Sequence, residues 1–311
     1  MTTLPLVDPE LHALLEMWPT VPVTAEMLPV MRDRVLPTPP VPDTDTVAER
    51  VSIAGPDGAP EIALCVYRPA KAAGPLGCLY HIHGGGYVFG KAGELEFAHR
   101  PLAEALGCVI VSVDYRLAPE TPHPGPIEDC YAGLAWVFAN SARLGVDPAR
   151  IGVIGESAGG GLAAALALLA RDRGDYRLAF QHLTYPMLDD RTCVRPPHAH
   201  AGEFIWPPAS NHFGWSALLG HEPGRDDVSP YAAAARATDL ADLPPTYMMT
   251  GALDLFVDEN IDYARRLVAA GVPTEFHLYP GAFHGFDIAP EAAVALQARA
   301  DRLAALRRAL A

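Results

Sequence analysis

A serine between small residues, in Gly155-Glu156-Ser157-Ala158-Gly159, falls where a β-branched run gives way to alanines and leucines. Ile151 to Ile154 reads as a strand and the segment after Ser157 as a helix, so the chain must turn sharply within a few residues. Small side chains two before and two after the serine permit that turn, which pushes Oγ out above a sheet with a helix amino terminus beneath it. The pattern constrains the fold as much as the chemistry. It needs a strand in a sheet, a helix packed behind it, and an open carboxyl end where partners can gather.

Glycine, serine and alanine also make ordinary turns, so the reading depends on two further features, and both are present. His83-Gly84-Gly85-Gly86 follows the apolar segment Cys78 to Ile82. A strand end followed by bare glycines lets backbone N–H groups converge on an anion, and the N–H groups of Gly84, Gly85 and Ala158 are the candidate donors. Downstream come Asp254, in Thr250-Gly251-Ala252-Leu253-Asp254, and His284, in a Gly-flanked loop from Gly281 to Phe286. Asp258 and His277 are the rival carboxylate and imidazole. Asp254 is favoured as the nearer to a strand end, and His284 because it lies in a loop while His277 lies inside a strand.

Between Glu61 and the C-terminus the apolar segments alternate between strand-like and helix-like. Strands are expected at Ile62–Tyr67, Cys78–Ile82, Cys108–Val113, Ile151–Ile154, Leu178–Thr184, Thr246–Met249 and Glu275–Leu278. Helices are expected at Glu94–Leu106, Ile127–Asn140, after Ser157, at Asn260–Ala270 and from Pro290. Such alternation specifies a mostly parallel sheet covered on both faces, an α/β fold. A chain of 311 residues can form it as one catalytic domain.

Two regions break the rhythm. Asp8-Pro9 reads as the start of a helix whose Leu11, Leu14, Leu15 and Trp18 form an apolar stripe; without basic flanks, packing on the protein's own body is favoured over a membrane. The Pro-rich stretch Leu36–Pro42 would lead from this arm into the sheet. After Met187 a long excursion carries Phe204, Trp206, Phe213 and Trp215. It reads as a cap over the site in preference to a decorative insertion. The expected division is a cap arm over 1–45, a catalytic domain over 46–186 and 223–311, and a cap insertion over 187–222.

Charge excludes some partners. With 23 basic and 37 acidic residues the net charge is −14, which leaves no electrostatic footprint for nucleic acid or anionic lipid. The most apolar stretch, Ala158 to Ala170, falls short of the roughly 18 residues that cross a bilayer, so no membrane insertion is expected. Five cysteines without Cys-x-x-Cys argue against a disulfide framework and a zinc site; with no secretory signal in view, the expected location is the cytoplasm. His81 and His83 form a His-x-His pair with no further ligand nearby, and His83 is read as tying down the glycine loop.

The residue types specify acyl transfer. Ser157 would attack an acyl carbon, His284 would take and return the proton, and Asp254 would orient His284. Neither cofactor nor metal is needed. Asp114-Tyr115-Arg116-Leu117-Ala118-Pro119-Glu120, Tyr185-Pro186 and Asp258-Glu259 join the motifs above. With the order Ser, Asp, His along the chain, this set resembles the hormone-sensitive-lipase-like branch of the α/β-hydrolases, the family IV esterases. The resemblance runs from about Cys78 to Phe286. It implies an α/β-hydrolase fold with a mostly parallel eight-stranded sheet flanked by helices, a helical cap, activity on short acyl esters, and a homodimer. Glu156 stands where relatives usually carry Asp, and Gly161 where they often carry Asn.

The leading expectation is a carboxylesterase for small esters, held by Tyr87, Phe204, Trp206, Phe213, Trp215 and Phe256. A lipase for longer acylglycerols is the nearer alternative. A non-catalytic ligand-binding protein of the same fold is the more distant one, disfavoured because all three reactive residues are present.

Overall fold

The computed structural model describes residues 2–33, 39–71 and 74–311. Its strands are β1 (Thr46–Ile53), β2 (Ile62–Pro69), β3 (Leu76–Ile82), β4 (Val109–Asp114), β5 (Val146–Glu156), β6 (Gln181–Thr184), β7 (Thr246–Gly251) and β8 (Thr274–Tyr279). They form one sheet in the order β1-β2-β4-β3-β5-β6-β7-β8. β2 runs antiparallel to β1 and β4, and every other pair is parallel. The fold is therefore the expected α/β-hydrolase sheet.

The helices are α1 (His12–Met17), α2 (Leu28–Asp33), α3 (Glu96–Leu106), α4 (Gly125–Ala139), α5 (Ser141–Leu144), α6 (Ala158–Arg173), α7 (Pro208–Leu219), α8 (Val257–Ala269) and α9 (Ala293–Leu310). α3 and α9 cover one face of the sheet, and α4, α6 and α8 the other. Central strands are buried along nearly their whole length, which is why they read as unbroken apolar runs. The alanine-rich first part of α6, Ala158 to Ala170, is wholly buried; small side chains let it sit close against the sheet. Among the described residues no helix is long and apolar enough to cross a membrane.

One strand escaped the sequence reading. β1 is an edge strand with four consecutive exposed positions, so Thr-Val-Ala-Glu-Arg-Val-Ser-Ile shows neither an apolar run nor clean alternation.

The N-terminal stripe packs on the protein's own body. Asp8 Oδ1 accepts from Glu10 N–H, and Leu11 and Leu14 are buried with Val7 against Tyr279, Phe283 and Phe286. The arm also meets the insertion, because Ser210 Oγ accepts from Val23 N–H and Thr20 Oγ1 from Ile205 N–H, both at 2.9 Å. Glu203 accepts from Thr3 Oγ1 at 2.7 Å. Of the Pro-rich connection, residues 36–38 lie outside the described residues.

Candidate active site

Every residue singled out for chemistry stands just beyond the carboxyl end of a strand. Ser157 follows β5, the glycine loop follows β3, Asp254 follows β7 and His284 follows β8. Ser157 has φ 56° and ψ −122°, a region that non-glycine residues rarely occupy, so the elbow is strained. Its small flanks have a steric cause: a Cβ on Gly155 would lie 2.3 Å from Gly159 O, and one on Gly159 would lie 2.0 Å from Ile82 O. Ser157 N–H donates to Thr184 O at 3.0 Å, which ties the turn to the neighbouring strand.

The three side chains meet. His284 Nε2 is 2.9 Å from Ser157 Oγ and His284 Nδ1 is 2.8 Å from Asp254 Oδ2. A carboxylate only accepts, so Nδ1–H is the donor to Asp254 and Nε2 is left to accept from the serine hydroxyl. Asp254 is wholly buried, and its other oxygen accepts from Phe256 N–H at 2.9 Å. Asp258, the rival carboxylate, is exposed at the start of α8. His277 lies within β8 and pairs with Glu275 at 2.8 Å, away from the serine.

Gly84 lies against the elbow, since a Cβ there would approach Glu156 O to 3.0 Å and Ser157 Cβ to 3.4 Å. Among the described residues no backbone carbonyl accepts from Gly84 or Gly85 N–H, and Ala158, first in α6, has no intrahelical acceptor. His83 fixes this loop. Its Nδ1–H donates to Gly84 O at 2.8 Å, its ring stacks on Tyr115 at 4.3 Å, and Tyr115 Oη donates back to His83 O at 3.0 Å. Burial pushes the His83 imidazole down to about 4, so it stays neutral beside the glycines.

The aromatic residues proposed as a substrate wall divide. Trp206 lies over the loop, its ring only 2.2 Å from where a Gly86 Cβ would stand. Phe204 is partly exposed and packs on Phe283, the neighbour of His284, at 5.8 Å. Phe213 is partly exposed on α7, against the main core. Tyr87, Trp215 and Phe256 are wholly buried. The Tyr87 hydroxyl is committed to Met187 O at 3.0 Å and its ring packs on Trp215, so both anchor the segment after Met187 to the sheet's core. Phe256 meets the His284 ring edge-on at 5.2 Å.

Sequence reasoning passed over the polar groups behind the site. Glu156 Oε2 accepts from His81 Nε2 at 2.9 Å, and His81 Nδ1 is 2.7 Å from Ser112 Oγ. Burial alone would raise the Glu156 carboxyl, but the charge and hydrogen bond of His81, with Arg302 behind them, outweigh it and hold it well below the usual carboxylate range. Strand periodicity hid this split, because residues two apart share a face in a continuing strand; β3 ends at Ile82, so His83 turns into the glycine loop while His81 stays on the sheet beside Ser112 and Glu156. Among the described residues no group of three or more His, Cys, Asp or Glu side chains could hold a metal ion, and Cys65, Cys78, Cys108, Cys130 and Cys193 are free thiols.

A family model described as alpha/beta hydrolase fold matches residues 79–288. The carboxylesterase NlhH of Mycobacterium tuberculosis is 37% identical over 315 residues, covering 98% of this chain and 97% of the relative. An arylesterase of Saccharolobus solfataricus is 32% identical over 227 residues, 73% of each chain. Among solved structures, a bacterial heroin esterase superposes over 100% of both chains with a TM-score of 0.89 at 40% identity. Esterase LipW of Mycobacterium marinum gives 0.82 at 33% identity, over 98% of this chain and 96% of that one.

Proposed function

The chain belongs to the α/β-hydrolases, in their hormone-sensitive-lipase-like branch, and from that premise we propose that Ser157, His284 and Asp254 are the triad of a carboxylesterase. The observation that carries this is the continuous relay from Ser157 Oγ through His284 to Asp254, at 2.9 and 2.8 Å, on a strained elbow.

Ser157 Oγ attacks the acyl carbon while its proton passes to His284 Nε2, and Asp254 stabilises the imidazolium. Charge on the carbonyl oxygen is met by the N–H groups of Gly84, Gly85 and Ala158, each worth about 3–4 kcal/mol in the transition state. The bond to the alkoxide then breaks, and His284 returns the proton to that leaving oxygen. Water, deprotonated by His284, attacks the acyl-enzyme, and the proton goes back to Ser157 as the acid departs. No step calls for a cofactor.

Trp206, over the glycine loop, and Phe204, on the neighbour of His284, supply an apolar wall, and the arm and insertion together form the cap, over a substrate that we read as a small ester with a short acyl chain. A series of p-nitrophenyl esters from acetate to decanoate tests the chain length, with the maximum expected at the short end. Ser157→Ala tests the triad itself. Hydrolysis should fall by at least about 10⁴-fold while the thermal midpoint stays near that of the parent, and retained turnover would overturn the mechanism.

A second reading rests on the arm, where Leu4, Leu6, Met17, Val21, Met27 and Val30 are exposed. Such a surface favours action on emulsified esters, tested by a jump in rate as tributyrin passes its solubility limit. Five free cysteines fit a reducing cytoplasm, and the open edge of β8 fits a homodimer; cell fractionation and light scattering test these.

A further inference from the structure

One cation stands between the two halves of the site and takes no part in the proton relay. Arg302, on α9, donates from Nη2 to Glu156 Oε1 at 3.0 Å, and its Nη1 lies 3.9 Å from Asp287 Oδ2. Glu156 immediately precedes Ser157, and Asp287 stands three residues after His284. A single guanidinium therefore joins the segment that carries the nucleophile to the segment that carries the base.

Each carboxylate is held on its other side as well. Glu156 Oε2 is taken by His81, and Asp287 Oδ1 accepts from Tyr185 Oη at 2.8 Å. The Tyr185 ring in turn meets the His284 imidazole edge-on at 4.7 Å. Tyr185 has φ 35°, a strained value that persists only where its surroundings over-determine it. One turn before Arg302, Arg299 donates to the carbonyls of Ala289 and Pro290, at 2.7 and 2.9 Å, and to that of Asp287. α9 thus grips the backbone just after His284 and the side chains behind it.

Arg302 is faced by Glu156 from β5, by Tyr185 from the end of β6, by Asp287 from the helical turn after His284, by Tyr247 from β7, by His182 from β6 and by His99 from α3. Buried carboxylates left without their cation repel one another and draw in water, so the planar fork of the guanidinium fixes both distance and direction. Glu156 suits this bridge because its carboxylate reaches His81 with one oxygen and Arg302 with the other.

We propose that Arg302 is a positioning residue which, through Glu156 on one side and Asp287 with Tyr185 on the other, sets the separation of Ser157 Oγ and His284 Nε2. The inference rests on the triad reading above. Because a misplacement of about 1 Å in reacting atoms costs on the order of 100-fold, a loosened bridge should appear in the chemical step and leave substrate binding alone.

The test measures kcat and KM for p-nitrophenyl acetate in Arg302→Met, Arg302→Lys, Glu156→Gln and Asp287→Asn, each normalised to the serine titrated by a fluorophosphonate. Arg302→Met should lose about 30- to 100-fold in kcat, with KM within about twofold of the parent and the thermal midpoint well above the assay temperature. Arg302→Lys should recover at least about a third of the lost rate, because it restores the charge but not the fork. Should Arg302→Met fail to fold, the near-isosteric Glu156→Gln and Asp287→Asn keep the question open to measurement, and each should lower kcat by about tenfold. The inference is overturned if Arg302→Met, or both carboxamide variants, keep parental kcat per titrated serine, or if KM rises while kcat holds. Turnover in Ser157→Ala would instead sink the triad reading itself, so the two failures are distinguishable.

Discussion

The floor of the site and the lid proposed above it are held by different kinds of bond. On the floor, backbone pairs with backbone: Ser157 N–H with Thr184 O at 3.0 Å, Tyr185 N–H with Met249 O at 2.6 Å, Leu253 N–H with Ala282 O at 2.9 Å. In the lid, single side chains reach across to backbone, as Thr20 does to Ile205, Ser210 to Val23 and Arg32 to Val88 and Ala118. The floor inherits the stiffness of the sheet, and few single side chains can loosen it. The lid hangs on individual contacts, each removable without touching the sheet. Substitutions on the floor should therefore register in kcat, and substitutions in the lid in KM or stability.

Apart from loss of the nucleophile, the largest effect is expected from Gly84→Ala. The new methyl would stand 3.0 Å from Glu156 O and 3.4 Å from Ser157 Cβ, forcing the loop off the elbow by a few tenths of an ångström. The N–H groups would then miss the developing oxyanion, and kcat should drop by about 100-fold with little change in KM. Gly85→Ala is the poorer probe, because its φ of 113° and a Cβ 2.0 Å from Phe89 O would break the loop outright. A Gly84→Ala enzyme within about threefold of parental kcat would remove this loop from the chemistry and erase the contrast with the lid.

The same contrast decides what could be read from the chain. The central strands β3 to β7 announced themselves because burial on both faces demands apolar runs, the edge strand β8 showed only through its place in the alternation, and the glycines announced the turns because backbone crowding leaves room for nothing larger. Ser157, Asp254 and His284 were legible through their neighbours: each sits where a strand stops. What stayed hidden was which way a helix faces. Trp206 and Trp215 lie nine residues apart in one insertion, yet one covers the glycine loop and the other is sealed in the core, a choice made by tertiary packing of α7. Charged residues were hidden for another reason. Glu259 and Arg302 have the composition of surface residues, and only their distant partners show that they belong inside.

Glu259 sharpens the comparison, because it is the point where the lid is fastened to the floor. It is buried at the start of α8, where Oε1 accepts from Leu188 N–H at 2.6 Å and Asp189 N–H at 3.3 Å, and Oε2 from the Thr192 hydroxyl. Glu259→Ala would strand those donors and should cost about 2–4 kcal/mol in urea unfolding. Burial, with Asp189 nearby, pushes the Glu259 carboxyl well above its ordinary value of 4.5. An acid whose folded pKa is raised holds its proton in the native state, so its contribution is fully present below 4.5 and is lost as pH rises through the folded value. Glu259→Gln keeps the acceptor and cannot ionise, so its stability should fall less between pH 5 and pH 9 than the parent's. An identical slope in both proteins would show that Glu259 is not the group responsible.

Arg32 offers the smallest and most selective break. Its Nε donates to Val88 O and its Nη2 to Ala118 O, both at 2.8 Å, while the Glu120 oxygens accept at 2.7 and 2.8 Å. The Glu120 side chain is 63% exposed, so solvent screens the ion pair and it is worth about 0–1 kcal/mol. The two carbonyls matter more, because Val88 stands just beyond the glycine loop and Ala118, in the segment after β4, donates its N–H to Tyr87 O beside it, so together they pin the arm next to that loop. Arg32→Ala should loosen the arm by about 1 kcal/mol, raising KM by roughly fivefold and leaving kcat within about twofold. Arg32→Lys separates the two contributions: an ammonium can still face Glu120 but cannot form the fork that reaches both carbonyls. If the lid is held by directed bonds to backbone, the lysine enzyme should behave like the alanine one; if it regains parental KM, charge alone fastens the arm.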